Sequence, residues 1–106
     1  MSNLDCNCPI AGALAIFGDR WSLIILRDLL FHNKKHFHEF SESPEKISSN
    51  ILTDRLRSLE ADGPLQSMMD EENKRRKIYQ PTQKAQDLAP ILQALAVWGE
   101  KHSSLS

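Results

Sequence analysis

Residues 48–63 read SSNILTDRLRSLEADG, and this stretch decides the fold. A hydroxyl at Ser48 or Ser49 suits a helix start, because it accepts from backbone N–H groups that have no partner in the first turn. Leu52, Leu56 and Leu59 follow at helical spacing and form one apolar stripe, with Ile51 at its edge. Asn50, Thr53, Asp54 and Arg57 fall on other faces near the leading end. Gly63-Pro64 stops the helix, since glycine accepts a left-handed backbone and proline cannot continue the hydrogen-bond ladder. Ser, Asn, Thr and Arg in the first turns suit insertion into a DNA major groove. The plainer alternative is an amphipathic surface helix, and the flanking segments decide between the two.

Upstream, Cys8-Pro9 opens a first helix that carries Ile10, Ala13, Leu14, Ile16 and Phe17 up to Gly18. Asp19 is a good cap for a second helix reaching Leu30, and its apolar residues from Trp21 to Leu30 mark it as the central core helix. His36 to Ser43, HFHEFSES, places Phe37 and Phe40 at i, i+3 and predicts a short helix of about two turns. The turn Ser43-Pro44-Glu45-Lys46 and Ile47 then lead into the Ser48 helix, which completes a helix-turn-helix over about 36–62.

Downstream the pattern changes to two short strands, 65–69 and 77–80, around a charged loop. This is a wing with a basic tip, over about 65–80. Thr82 caps a final helix over about 82–102 with Leu88, Ile91, Leu92, Leu95 and Trp98 in helical period. Pro90 lies inside it and predicts either a kink or a break. The chain is therefore mainly α with a small β-hairpin, a winged helix-turn-helix over residues 1–106 as one domain.

With 41% hydrophobic and 25% charged residues, the composition is that of a soluble globular protein. No apolar run is long enough to span a membrane, and the N-terminus has no signal-peptide pattern, so the expectation is a cytoplasmic protein without a membrane partner. The net charge of −1 excludes a globally basic nucleic-acid coat protein. It leaves room for a local patch, and Lys74, Arg75, Arg76 and Lys77 supply one, directly after Asp70, Glu71 and Glu72. Cys6 and Cys8, one residue apart, are poorly spaced for a disulfide with each other and have no second pair with which to hold zinc. His32, His36 and His38 lack a carboxylate or cysteine that would complete a metal site. No nucleophile–base, paired-carboxylate or glycine-rich phosphate pattern is present, so no cofactor, metal or catalytic role is expected.

With this order of elements, the chain resembles the HxlR-type winged helix-turn-helix regulators, relatives of the MarR group. The matching motifs run through nearly the whole chain: Cys8-Pro9, Gly18-Asp19-Arg20-Trp21, Ile25-Leu26-Arg27-Asp28-Leu29, Phe37-His38-Glu39-Phe40, Leu52-Thr53-Asp54-Arg55-Leu56, Asp62-Gly63, Tyr79, Thr82-Gln83-Lys84 and Trp98-Gly99. The resemblance implies a homodimer joined through its N- and C-terminal helices, acting as a sequence-specific regulator of transcription on a pseudo-palindromic operator in double-stranded DNA. Ile10, Leu14 and Phe17 at one end, and Leu92, Leu95 and Trp98 at the other, are the expected interface residues. His36 stands where the family usually has a basic residue, while Pro64 and Pro81 replace aliphatic residues at the two ends of the wing.

On this reading Ser48, Ser49, Asn50, Thr53 and Arg57 contact bases and phosphates from the recognition helix; the plainer alternative is a cap at Ser48 or Ser49 and solvation of the rest. Arg55 is set aside for an ion pair within the domain. Lys74, Arg75, Arg76 and Lys77 serve the wing, and Lys34 and Lys35 add phosphate contacts. Some family members sense electrophiles or oxidants through a cysteine at the position of Cys8. The backbone N–H groups of a helix start favour an anion there, and Cys6 is placed to resolve an oxidised Cys8 across subunits. An unreactive thiol at the dimer interface is the alternative for Cys8, and a module used only for protein association is the alternative for the whole chain.

Overall fold

A computed structural model describes residues 8–103. Helix α1 (Pro9–Phe17) starts on proline and ends at Gly18, whose N–H donates to the Leu14 carbonyl at 2.8 Å. A side chain at Gly18 would put its Cβ 2.4 Å from that same oxygen, so only glycine allows the chain to turn so closely. Helix α2 (Arg20–Phe31) starts where the Asp19 carboxylate accepts from the Ser22 N–H at 3.0 Å. Its Ile25, Leu26 and Leu29 are at most 4% exposed, and most of the other elements pack around it.

Helix α3 (Phe37–Ser41) is one and a half turns rather than about two, and the Glu39 carboxylate reaches back to the His36 and Lys35 N–H groups at 2.9 and 2.8 Å. Helix α4 (Ser49–Asp62) is capped by Ser48, whose hydroxyl accepts from the Ile51 N–H at 3.3 Å. Leu52, Leu56 and Leu59 are at most 2% exposed and join Phe40 and Ile47 in the core. Gly63 ends α4 at φ 109°, the left-handed geometry its sequence position requires.

Strands β1 (Leu65–Met69) and β2 (Lys77–Pro81) pair antiparallel from Leu65↔Pro81 to Met69↔Lys77 without interruption. The two prolines leave that pairing regular. Pro64 is buried and its carbonyl accepts from the Thr82 N–H at 3.1 Å, while Pro81 takes the last rung.

The helix expected over 82–102 is two helices. Thr82 caps only α5 (Gln83–Gln86), and Pro90 begins a new helix, α6 (Ala89–His102), near its first position. Proline lacks the N–H that an interior position needs, so the ladder breaks at Asp87 and Leu88 and restarts where that N–H would have no partner anyway. No single helix among the described residues is long and apolar enough to cross a membrane.

Candidate nucleic-acid interface

The buried leucine stripe of α4 fixes which of its residues face outward. Ser48, Ser49, Asn50 and Arg57 are exposed, and Thr53 is half-buried. Ser48 spends its acceptor on the cap, so its hydroxyl serves the helix as well as the surface. Arg55 turns inward, with Nε 3.2 Å from the Asp19 carboxylate and Nη1 2.8 Å from that of Asp54. The same Asp19 that caps α2 thereby holds α4 against it.

Two features position α4 from behind. Arg27 on α2 forms a two-pronged ion pair with Glu45 in the turn before α4, at 2.7 and 3.0 Å. Arg27 holds the Glu45 carboxyl well below its ordinary value, at about 2. Beside it Asp28 is 1% exposed and accepts from Arg27, Lys34 and the Ser43 hydroxyl, so a buried charge is matched on several sides. Lys34 lies 3.4 Å from the Asp28 carboxylate and is half-buried, which gives its ammonium a partner inside the domain. Lys35 remains exposed, with its carbonyl accepting from the Tyr79 N–H at 2.8 Å and so tying β2 to the loop before α3.

The wing is organised around Asp70, which is 5% exposed. Its carboxylate accepts from the Glu72 N–H at 2.9 Å and from Arg76 Nη2 at 3.2 Å, and it faces His36 Nε2 at 3.2 Å. The Glu72 N–H above all, with His36 and Arg76, holds the Asp70 carboxyl below its usual range against the opposing effect of burial. The other ring nitrogen of His36 faces Glu39 at 3.3 Å. His36 therefore ties the wing to α3 through Asp70 and Glu39, and Arg76 has a carboxylate partner within the wing itself. Lys74, Arg75 and Lys77 stay exposed, with the Arg75 N–H donating to the Asn73 side chain at 3.1 Å.

The tertiary structure brings α4 and the wing onto one concave surface. Thr53 and Arg57 of α4 share a shallow cleft with Lys77 and Tyr79 of β2, and Phe37 forms part of its wall. A neighbouring cleft of about 310 Å³ gathers His38, Arg75 and Lys77 around Phe37 and Tyr79. Phe37, His38 and Tyr79 are site residues that the sequence reading did not select. Tyr79 meets Phe40 edge-to-face at 6.1 Å, and burial raises its phenol. The alternating strand period marks Tyr79 as one-sided, but its pairing with Phe40, 39 positions earlier, has no local signal.

At the termini, Ile10, Leu14, Leu95 and Trp98 are 70%, 53%, 48% and 64% exposed. Leu92 is half-buried against the core, and Phe17, at 8%, belongs to the core itself. Of the residues expected at the interface, Phe17 is thus the one that packs in the protomer's own core. Cys8 is exposed at the start of α1. Cys6 lies outside the described residues.

Comparison with known proteins gives the family. The family profile of the HxlR-like helix-turn-helix matches residues 16–106. YdeP of Bacillus subtilis (strain 168), an uncharacterized HTH-type transcriptional regulator, is 34% identical over 96 residues, covering 91% of this chain and 74% of YdeP. The crystal structure of PA1607 superposes with a TM-score of 0.86 at 35% identity, over 97% of this chain and 70% of that one. The oxidized form of the redox regulator HypR superposes with a TM-score of 0.79 at 29% identity, over 92% of this chain and 100% of HypR. With a profile match over most of its length and a winged helix-turn-helix in place, the chain belongs to the HxlR-like helix-turn-helix family of transcriptional regulators.

Proposed function

We propose that the protein acts as a homodimer that reads a pseudo-palindromic operator in double-stranded DNA, with α4 in the major groove and the wing on the flanking backbone. The observation that carries this reading is the shared concave surface on which Thr53 and Arg57 of the helix meet Lys77 of the wing. Ser49 and Asn50 extend it toward the leading end of α4, where bidentate reading of adenine by Asn50 is geometrically natural. Lys74, Arg75 and Lys77 provide the cations for phosphate, and the role of Lys35 is an added contact at the base of the wing.

Dimerisation is supported by the apolar surface at the two ends. Ile10 and Leu14 on α1, with Leu95 and Trp98 on α6, leave large apolar side chains in water on one small protomer. Two-fold pairing through these helices sets two copies of α4 against half-sites related by the same symmetry.

Operator fragments selected from genomic DNA and titrated by fluorescence anisotropy test the reading. Asn50→Ala and Arg57→Ala are expected to weaken binding by about tenfold each, with a steep salt dependence in the parent protein. No retention of specific fragments would replace this reading with that of a protein-association module.

A second reading concerns control. The likeness to the redox regulator HypR, and the exposed Cys8 at the start of α1, support thiol-dependent switching, with Cys6 as the resolving partner. Treatment with diamide should alter operator affinity in the parent protein and leave Cys8→Ser unchanged; an equal response in both removes this mechanism.

A further inference from the structure

One side chain ahead of α3 faces two carboxylates. His36 is half-buried, with Nδ1 3.3 Å from the Glu39 carboxylate and Nε2 3.2 Å from that of Asp70 in the wing. The backbone N–H groups of Lys35 and His36 already fix the same Glu39 oxygen, at 2.8 and 2.9 Å. Asp70 is 5% exposed, so its oxygens depend on donors from the protein. The Glu72 N–H serves one of them, while His36 and Arg76 share the other at 3.2 Å each. Arg76 cannot replace the link to α3, because Arg76 and Asp70 belong to the same hairpin.

A neutral imidazole has one N–H and one lone pair, so it donates to one of these carboxylates and turns a lone pair toward the other. An imidazolium donates to both, and histidine is the side chain whose charge ordinarily changes between about pH 5 and 8. Other charges act on the ring from each side. His38 of α3 stacks on it at 5.7 Å, and with Lys35, Arg75, Arg76 and Lys77 nearby it opposes a further positive charge. Glu71 and Glu72 of the wing, beside Asp70, favour one. We propose that His36 is a positioning residue that latches the wing to α3 only while its ring is positively charged. The wing is then firm in mildly acidic solution and looser in mildly alkaline solution. The purpose of the latch rests on the regulator reading: a firm wing sets Lys77 beside Thr53 and Arg57 of α4, so operator affinity falls as His36 loses its proton.

The latch is tested without DNA, so its failure and the failure of the operator reading are separable. Amide protection factors, which divide out the intrinsic rise of exchange with pH, are measured on the ¹⁵N-labelled full chain from about pH 5.5 to 8. The reporter is the Tyr79 N–H, which donates to the Lys35 carbonyl across the same junction. Its protection should fall about fivefold over that range, the worth of one partly exposed charge-assisted contact, while buried amides of α2 stay constant. The fall should share its midpoint with the titration of the His36 ring signals. His36→Arg, with a permanent charge, should keep the high protection throughout, and His36→Gln the low one. His38→Gln should keep the parent profile. A flat parent profile, a midpoint unlike that of the His36 ring, or a His36→Gln chain that still loses protection overturns the latch. So does a pH dependence abolished by His38→Gln. Operator affinity should follow the same fall in the parent and not in His36→Arg; an identical fall in both overturns the role of the latch in DNA reading. Absence of any specific fragment at every pH removes the operator reading and leaves the latch standing on the exchange profile.

Discussion

Replacing Glu45 with glutamine removes one charge from the clamp that holds the turn in front of α4. In the parent, Arg27 grips the Glu45 carboxylate through two N–H···O contacts at 2.7 and 3.0 Å and also binds Asp28. The Arg27 guanidinium lowers the Glu45 carboxyl from 4.5 to about 2, and Arg20 adds a smaller attraction. At 1.36 kcal/mol per pH unit such a shift corresponds to about 3 kcal/mol in a fully shielded pair. The two side chains are 31% and 26% exposed, so water screens them, and the range for exposed pairs brings the figure to about 1 kcal/mol at pH 7.

The sign follows from the lowered value. The folded state holds the carboxylate more tightly than the unfolded chain, so the stabilisation is complete above pH 4.5 and fades as pH falls toward 2. Roughly half or more is gone by pH 3. Urea denaturation at fixed protein concentration, at pH 7, 5, 4 and 3, measures the gap between the parent and Glu45→Gln. The gap should be about 1 kcal/mol at pH 7 and should close across the acid range. A gap that stays constant with pH, or is absent at pH 7, refutes the ion-pair account of this turn.

Three further outcomes are expected. Gly63→Ala should cost about 1–2 kcal/mol in thermal or urea denaturation, because φ 109° is strained for any side chain and the new Cβ would meet Lys84 at 3.1 Å. Arg75→Ala should reduce the slope of log affinity against log salt by about one while leaving the fold unchanged, whereas Arg76→Ala should also loosen the wing, seen as faster amide exchange at Glu72 and Arg76, because it removes one of the partners of Asp70. Leu95→Glu should convert the proposed dimer to monomer in sedimentation velocity at micromolar concentration; a dimer of unchanged strength would place the interface elsewhere.

The Ser48–Gly63 helix, its cap, its leucine face and its stop were legible in the sequence, because each is set by residues within one or two turns of one another. The same holds for the start of α2 at Asp19 and for the two wing strands around a charged loop. Local chemistry also limited Pro90 to a kink or a break; the break is what forms, with α5 and α6 both packed on α2.

What the tertiary structure alone decided was the use of the charges. In the sequence Lys34 and Arg76 read as groups for phosphate, and His36 as a replacement for a basic residue. Folding brings Asp28 to Lys34 across 6 positions and Asp70 to His36 across 34, and gives each a carboxylate partner within the domain. Phe17 is decided in the same way, since its place in an apolar stripe does not say whether the neighbour across that stripe is its own core or a partner. The physical reason is range. Capping, helix period and strand alternation act between near neighbours in the chain, so one sequence displays them. Ion pairing, burial and the meeting of α4 with the wing depend on which distant segments come together, and packing around α2 decides that.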